Sequence, residues 1–464
     1  MPKRNLILVL GLLAAAAVIV LFAYDPGGQT AGNRPADNRQ MEAVAQAIRV
    51  IKENYHKPVD DSQLSCDAVA GMVDGLDEFS SYIPPQQVDA FNHRMRGNDQ
   101  GLGIRFEIIN DAVVVIGPIL GSPANREGIR TGDRIVSVDG RETAGLTLEE
   151  VQDALEGPGQ DEVRLVIRRR ERTLNVTLTR GRLPMESVVG LYRDRSGNWV
   201  HSLDAKRGLV YIRVKEFVPD TASELEKTLY RLGSPRGIVL DLRDNPGGLL
   251  PGAVEVANFF LKKGIIVRSV DRGGKPTEFF ARSEETYSDT VPLAVLINGN
   301  TASAAEIVAG ALWVHDRAVI VGTQSRGKGC VQTPFLLGEG LGQINLTTAE
   351  YYLEGSMPIS RRAASRYWGV EPHRQAILVQ AEELGRLRVR GEVLFQPTPE
   401  TMPASWPANE QGMVAVYLGL DTQLKQALAL LADPAEMDTL IRQESKIRSS
   451  RRAVTAPAES SWNE

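Results

Sequence analysis

Cysteine and histidine are scarce in this chain: Cys66, Cys330 and five histidines are all it has among 464 residues. Two thiols so far apart in sequence give no disulfide framework. No group of histidines, cysteines or carboxylates falls at the spacing of a metal site, so no metal and no cofactor is expected. An excess of one charge is also missing. The 53 basic and 58 acidic residues are mixed along the chain and leave a formal net charge of −5, so there is no basic face and nucleic acid is excluded as a partner. Disorder is confined by composition to the ends, because 42% hydrophobic residues suffice for two or three separate cores.

One long uncharged run is present. Lys3 and Arg4 precede Asn5–Tyr24, which as a helix could span about 30 Å of hydrocarbon. The positive flank predicts a cytoplasmic amino terminus and export of everything after Tyr24. Small residues do not mark a cleavage site at Leu21-Phe22-Ala23-Tyr24, so residues 1–24 are expected to be a retained anchor rather than a cleaved signal. A Gly/Pro/Asn-rich stalk is expected over 25–40 and a helical cap or dimerisation arm over 41–97, with helices from Met41 to Tyr55 and from Asp67 to Leu76.

From Gly101 to Arg180 the pattern becomes short strands with one helix. Thr147 and Glu150 form a capping box ahead of Leu148, Val151 and Leu155. The Gly101-Leu102-Gly103-Ile104 turn exposes backbone N–H groups that could hold a terminal carboxylate while the next strand pairs with the peptide. With Gly121-Ser-Pro-Ala124 and Gly132-Asp133, residues 98–182 resemble a PDZ domain of the bacterial protease type. The resemblance implies binding of protein C-termini through Gly101, Leu102, Gly103 and Ile104.

Beyond Gly208 strands alternate with helices, the mark of an α/β core. A helix is expected over Thr221–Leu232 with a Thr221/Glu224 capping box and Gly233 at its end. Past Trp368 the signal fades into a Pro-rich linker at Gln396–Pro407, an amphipathic helix at Thr422–Leu431 and a disordered tail at 447–464.

Three motifs carry chemistry: Asp241-Leu-Arg-Asp-Asn-Pro-Gly-Gly248, Asn300-Thr-Ala-Ser303-Ala-Ala-Glu306 and Gly327-Lys328-Gly-Cys-Val-Gln332. Ser303 stands where a buried strand gives way to a helix, so its hydroxyl would face the positive end of a helix dipole. Lys328 and Gln332 would share one face of an extended strand. The motifs resemble those of the carboxyl-terminal processing (tail-specific) peptidases, over roughly Met41 to Ile359. The resemblance implies an α/β fold with a ClpP/crotonase-like layered ββα core over 183–365, the PDZ-like domain inserted before it and a C-terminal region over 366–446. It also implies a serine endopeptidase with Ser303 as nucleophile, Lys328 as general base, Gln332 orienting the base, and the N–H groups of Gly248 and Ala304 as oxyanion hole. Its substrates would be exported proteins. The expected location is the bacterial inner membrane, with the catalytic part on the periplasmic side, or export if the N-terminal segment is cleaved; a homo-oligomer or an adaptor protein is a candidate partner.

A lysine accepts a proton only as the free amine. An apolar pocket must therefore disfavour its charged form, at about 4 kcal/mol for a thousandfold gain in free amine. Leu336, Val331 and Val295 are the expected wall. His315 is too far along its helix to activate Ser303, and Cys330 is expected to be a packed thiol. Three positions depart from the family pattern: Ala305, the Asp77-Glu-Phe-Ser80 segment, and Gly369-Val-Glu-Pro-His373. The rival reading is a catalytically inactive, membrane-anchored PDZ scaffold.

Overall fold

The computed structural model describes residues 35–95, 100–156, 161–183, 186–194, 198–338, 340–362, 367–379, 382 and 410–455. The chain divides into two units, Met1–Met72 and Val73–Glu464. The apolar run Asn5–Tyr24 and the linker Gln396–Pro407 lie outside the described residues, among which no helix is long and apolar enough to cross a membrane.

In the first unit a helix covers Pro35–Asn54, so the helix begins inside the stretch expected to be stalk. The next helix starts at Asp61, six residues before the expected Asp67, and runs to Asp74 in the second unit. Asp60 supplies the start signal: its carboxylate accepts the N–H of Gln63 at 2.8 Å. Met41, Val44, Val50, Ile51 and Met72 are exposed.

In the second unit the strand Ser81–Ile83 and the helix Pro85–Met95 precede a β-rich domain. Its strands run in the order Ile104–Ile109, Ala112–Pro118, Arg134–Val138, Glu162–Arg169 and Arg172–Thr179, each antiparallel to its neighbours. The helix Leu148–Glu156 drops Val151 and Leu155 onto their apolar face. Its start is the expected capping box: Glu150 N–H donates to Thr147 Oγ1 at 3.2 Å and Thr147 N–H to Glu150 Oε2 at 2.9 Å.

The α/β part is built on a mainly parallel sheet. Leu209–Val214, Gly237–Asp241, Leu293–Ile297 and Val319–Gly322 pair in that order. These strands are apolar and buried because both faces are covered. Ile212, Leu240, Val295 and Ile320 face the helices Thr221–Leu232, Leu250–Asn258 and Ala304–Val314. Beyond those helices lies an antiparallel sheet formed by Ser81–Ile83, Gln343–Leu353, Ile265–Asp271, Pro276–Phe280, Cys330–Leu336 and Met357–Pro358. Tyr211, Val239, Leu296 and Val321 point the other way, onto Met413, Leu424, Ala427 and Leu431 of the C-terminal helices. Each such leucine removed from water contributes about 1.5–3 kcal/mol.

Two sequence expectations are corrected here. The Thr221/Glu224 box does not form: Asp220 is the N-cap without a side-chain bond, and Glu224 instead accepts Ser187 N–H, Ser187 Oγ and Val188 N–H at 2.8, 2.8 and 2.9 Å. The stretch from 447 is not wholly a disordered tail, since a helix runs over Pro434–Thr455. Arg448 is buried in it, lying over the Trp313 ring and paired with Asp316; that anchor comes from a distant part of the chain.

Candidate active site

Two strand-to-helix turns lie back to back at the C-terminal ends of parallel strands. The first leaves Gly237–Asp241 through Asp244 (φ 60°), Asn245, Pro246, Gly247 (φ 104°) and Gly248 (φ 128°). A Cβ on Gly248 would stand 2.2 Å from the Phe217 carbonyl oxygen, and one on Gly247 2.7 Å from the Ser303 Cβ. Only glycine permits this approach at these angles. The second turn leaves Leu293–Ile297 and enters the helix Ala304–Val314 at Ser303. The turns are bonded together by Ala302 N–H to the Asn245 carbonyl at 3.0 Å and Thr301 Oγ1 to the Leu242 carbonyl at 2.9 Å.

Ser303 holds φ 54°, ψ −120°, a backbone geometry that residues other than glycine rarely adopt. The helix behind it is apolar except for Glu306 and is buried from Ala304 to Trp313, so its first turn is held by packing on all sides. The N–H groups of Gly248 and Ala304 make no hydrogen bond among the described residues.

Glu306, fully buried in that first turn, belongs to one of the three motifs, yet sequence reasoning gives it no role. Its Oε2 accepts the N–H groups of Ser303 at 2.9 Å and Lys328 at 2.8 Å. Its Oε1 accepts Ser325 Oγ at 2.5 Å and Gly327 N–H at 2.7 Å. The backbone nitrogens of Ser303 and Lys328 are therefore no farther apart than two hydrogen bonds laid end to end. Burial pushes the Glu306 carboxyl above its ordinary range, and the four donors pull it back only in part.

Lys328 is half-buried just ahead of the strand Cys330–Leu336, and its Nζ donates to Gln332 Oε1 at 3.0 Å. The side chains meet across a bulge at Val331/Gln332 rather than along a regular strand face. The expected apolar wall is different in kind. Leu336 is 72% exposed, because it sits at the far end of the strand, about 20 Å from Cys330. Val295 is fully buried within the parallel sheet and Val331 packs against the core from its edge. The group found over the amine is the Phe79 ring, 5.4 Å from Nζ. The Phe79 carbonyl also accepts the Gln332 amide N–H. Sequence spacing could not reveal this contact, because the two residues are 253 positions apart. The Phe79 segment is tied down by Asp77, which accepts Phe79 N–H and Ser80 N–H at 2.8 and 2.7 Å, and by Ser80 Oγ, which accepts Thr347 N–H at 3.1 Å.

His315 lies at the other end of the helix, bonded to the Ile265 carbonyl at 2.9 Å, and Cys330 is a buried free thiol raised by desolvation. The departing segment Gly369–His373 closes the site from behind. Val370 N–H donates to Ser325 Oγ at 2.8 Å and His373 Nδ1 accepts Ile320 N–H at 2.9 Å. In the β-rich domain, Leu102 and Ile104 are buried in its core and Gly101 pairs with Gly181. Gly103 (φ 73°) leaves no room for a Cβ beside Ser122.

The sequence matches Peptidase family S41 over residues 208–376, a PDZ domain over 114–169 and the Activating protease CtpB N-terminal domain over 25–86. A carboxy-terminal-processing protease of Bartonella bacilliformis is 34% identical over 360 residues, 76% of this chain and 79% of that protein. A probable CtpA-like serine protease of Staphylococcus aureus is 32% identical over 332 residues, 70% of this chain and 64% of that protein. Among solved structures, the photosystem II D1 C-terminal processing protease is 25% identical, covers 81% of this chain and 96% of its own, and has a TM-score of 0.43. On the strength of the sequence relatives, the chain belongs to peptidase family S41, as a serine endopeptidase of the carboxy-terminal-processing kind.

Proposed function

We propose that the protein cleaves exported proteins near their C-termini with Ser303 as nucleophile and Lys328 as general base. The observation that carries this reading is the Glu306 carboxylate, which joins the Ser303 and Lys328 backbones while Gln332 holds the lysine amine at 3.0 Å. Lys328 Nζ, as the free amine, takes the Ser303 hydroxyl proton as Oγ attacks the scissile carbonyl carbon. The oxyanion so formed accepts the N–H groups of Gly248 and Ala304, which are unbonded among the described residues. Collapse breaks the C–N bond, and the proton passes from Nζ to the leaving amine. Water then attacks the acyl ester, giving its proton to Nζ, and Ser303 Oγ leaves with that proton.

The PDZ-like domain takes the substrate's terminal carboxylate on the Gly101–Ile104 turn, and its strand Ile104–Ile109 pairs with the peptide. The peptidase core is the layered ββα arrangement of the ClpP/crotonase type, and the N-terminal helices form an arm. Asn5–Tyr24 anchors the chain in the bacterial inner membrane with the catalytic part outside the cytoplasm. The test is cleavage of a protein tail by wild type, Ser303→Ala and Lys328→Ala, each shown to be folded by circular dichroism. Both variants should lose at least a thousandfold in kcat; a folded variant that still cleaves would overturn the roles. A serine-reactive phosphonate should label wild type but not Ser303→Ala, whereas an inactive scaffold would not be labelled.

A further inference from the structure

Arg243 is fully buried, and a guanidinium keeps its charge in any protein, so the fold must supply acceptors for all five of its N–H groups. It does. Nε donates to Asp241 Oδ1 at 2.9 Å and Nη2 to Asp241 Oδ2 at 2.7 Å. The second Nη2 hydrogen and one on Nη1 go to the two oxygens of Asp421, both at 2.8 Å. The last, on Nη1, goes to Gln423 Oε1 at 2.9 Å. Asp241 is local. Asp421 and Gln423 come from the start of the helix Thr422–Ala432, 178 and 180 residues later and outside the segment 208–376 that matches the peptidase family. Gln423 is fixed in turn by its amide N–H on the Ala376 carbonyl at 2.7 Å.

Directly after Arg243 the chain enters the first of the two active-site turns. Asp244, Gly247 and Gly248 all hold positive φ within five residues, and a backbone of that kind persists only where its surroundings over-determine it. We propose that Asp421 is a positioning residue of the peptidase: with Gln423 it closes the fork around Arg243 and so sets the Asp244–Gly248 turn that presents the Gly248 N–H to the reacting carbonyl. This rests on the oxyanion role of Gly248 in the Ser303/Lys328 reading. The C-terminal helices are then part of the catalytic machinery as well as the cover of one sheet face.

The decisive variant is Asp421→Asn. Asp421 is also the N-cap of its helix, accepting Leu424 N–H at 2.9 Å, and asparagine caps as well as aspartate. The substitution therefore keeps the helix start while turning an amide N–H toward the guanidinium. In the full chain, with a quenched fluorescent peptide, kcat should fall at least tenfold with KM within twofold, since only transition-state binding is lost. Thermal unfolding should remain cooperative, with its midpoint above the assay temperature. A folded Asp421→Asn protein with kcat within twofold of wild type overturns the proposal, as does a lowered melting temperature with kcat per folded molecule unchanged. If Asp421→Asn does not fold, Gln423→Met decides, by removing one acceptor at equal volume. A kcat at least threefold lower is then expected, and an unchanged kcat overturns the proposal. Ser303→Ala in the same assay separates the two failures: activity persisting there defeats the nucleophile, whereas a dead Ser303→Ala beside a fully active Asp421→Asn defeats the clamp alone.

Discussion

Glu306→Gln should separate stability from activity. The carboxylate accepts four hydrogen bonds, each charge-assisted and worth about 1.5–3 kcal/mol. Against them stands the burial of a charge, a penalty of several kcal/mol in real proteins. The direction of the Glu306 shift decides between them: its carboxyl is raised, with desolvation the largest cause, so burial outweighs the bonds. Replacing the charge by an isosteric amide removes that penalty but leaves one donor pair facing N–H groups, at about 1–3 kcal/mol for each unsatisfied donor, so the two effects offset in part and the net loss of folding stability should stay below about 3 kcal/mol. Activity should respond differently. The amide nitrogen must face one donor pair, either Ser303 and Lys328 or Ser325 and Gly327, and the Gly327–Lys328 loop moves relative to the nucleophile. A displacement of about 1 Å costs on the order of 100-fold in rate. Urea unfolding and kcat in one buffer test both halves. A folded variant with kcat within threefold of wild type would refute the positioning argument, and a stability loss above about 3 kcal/mol would refute the balance. The sign with pH is fixed as well. A raised carboxyl holds its proton in the fold where the unfolded chain has lost it, so ionising Glu306 subtracts stability as pH rises through that window. Glu306→Gln lacks this component.

Gly248→Ala places a methyl 2.2 Å from the Phe217 carbonyl at φ 128°; the turn must shift, and kcat should drop by about 100-fold or more, measured on the same peptide, while a neutral effect would exclude Gly248 from the oxyanion hole. Gln332→Leu removes the 3.0 Å partner of Lys328, and a loss of about 10- to 100-fold in kcat is expected from a charged hydrogen bond of about 1.5–3 kcal/mol; wild-type kcat in the folded variant would free Gln332 from any orienting role. Burial lowers His373 to about 3, so the fold keeps it neutral while the unfolded chain protonates below about 6.5. Stability should then fall with acidification, by about 2–3 kcal/mol between pH 7 and 4.5. His373→Asn, which can still accept Ile320 N–H, should flatten that slope in urea titrations, and an unchanged slope would refute the assignment.

What could be read from the sequence was local. The Thr147/Glu150 box formed because both partners lie within one turn and Arg141, which also bonds Glu150, takes its other oxygen. Thr221/Glu224 has the same spacing, yet Glu224 was taken by Ser187 and Val188, 37 and 36 residues earlier; tertiary donors outbid a cap that periodicity alone suggested. The three motifs were legible because strand ends and glycine turns have sequence signatures; the fold ties the Ser303 and Lys328 backbones to Glu306 and the Lys328 amine to Gln332. Phe79, Asp421 and the burial of Arg448 have none. Each depends on a partner more than a hundred positions away, and an apparently featureless polar helix such as Pro434–Thr455 acquires its anchor only when Trp313 and Asp316 are already in position.

The pairing of Ser81–Ile83 with Gln343–Asn345 has a consequence for the growing chain. That short strand carries Phe79 to the lysine, yet its partner is made some 260 residues later, a closure worth about 5 kcal/mol in chain entropy. During synthesis the Phe79 segment waits, without its lysine and glutamine partners, until nearly all of the second unit's strands have emerged. On the proposed Ser303/Lys328 reading, a prematurely ended polypeptide lacking that partner strand would carry an unbraced lysine, and the order of manufacture itself would act as a safety catch.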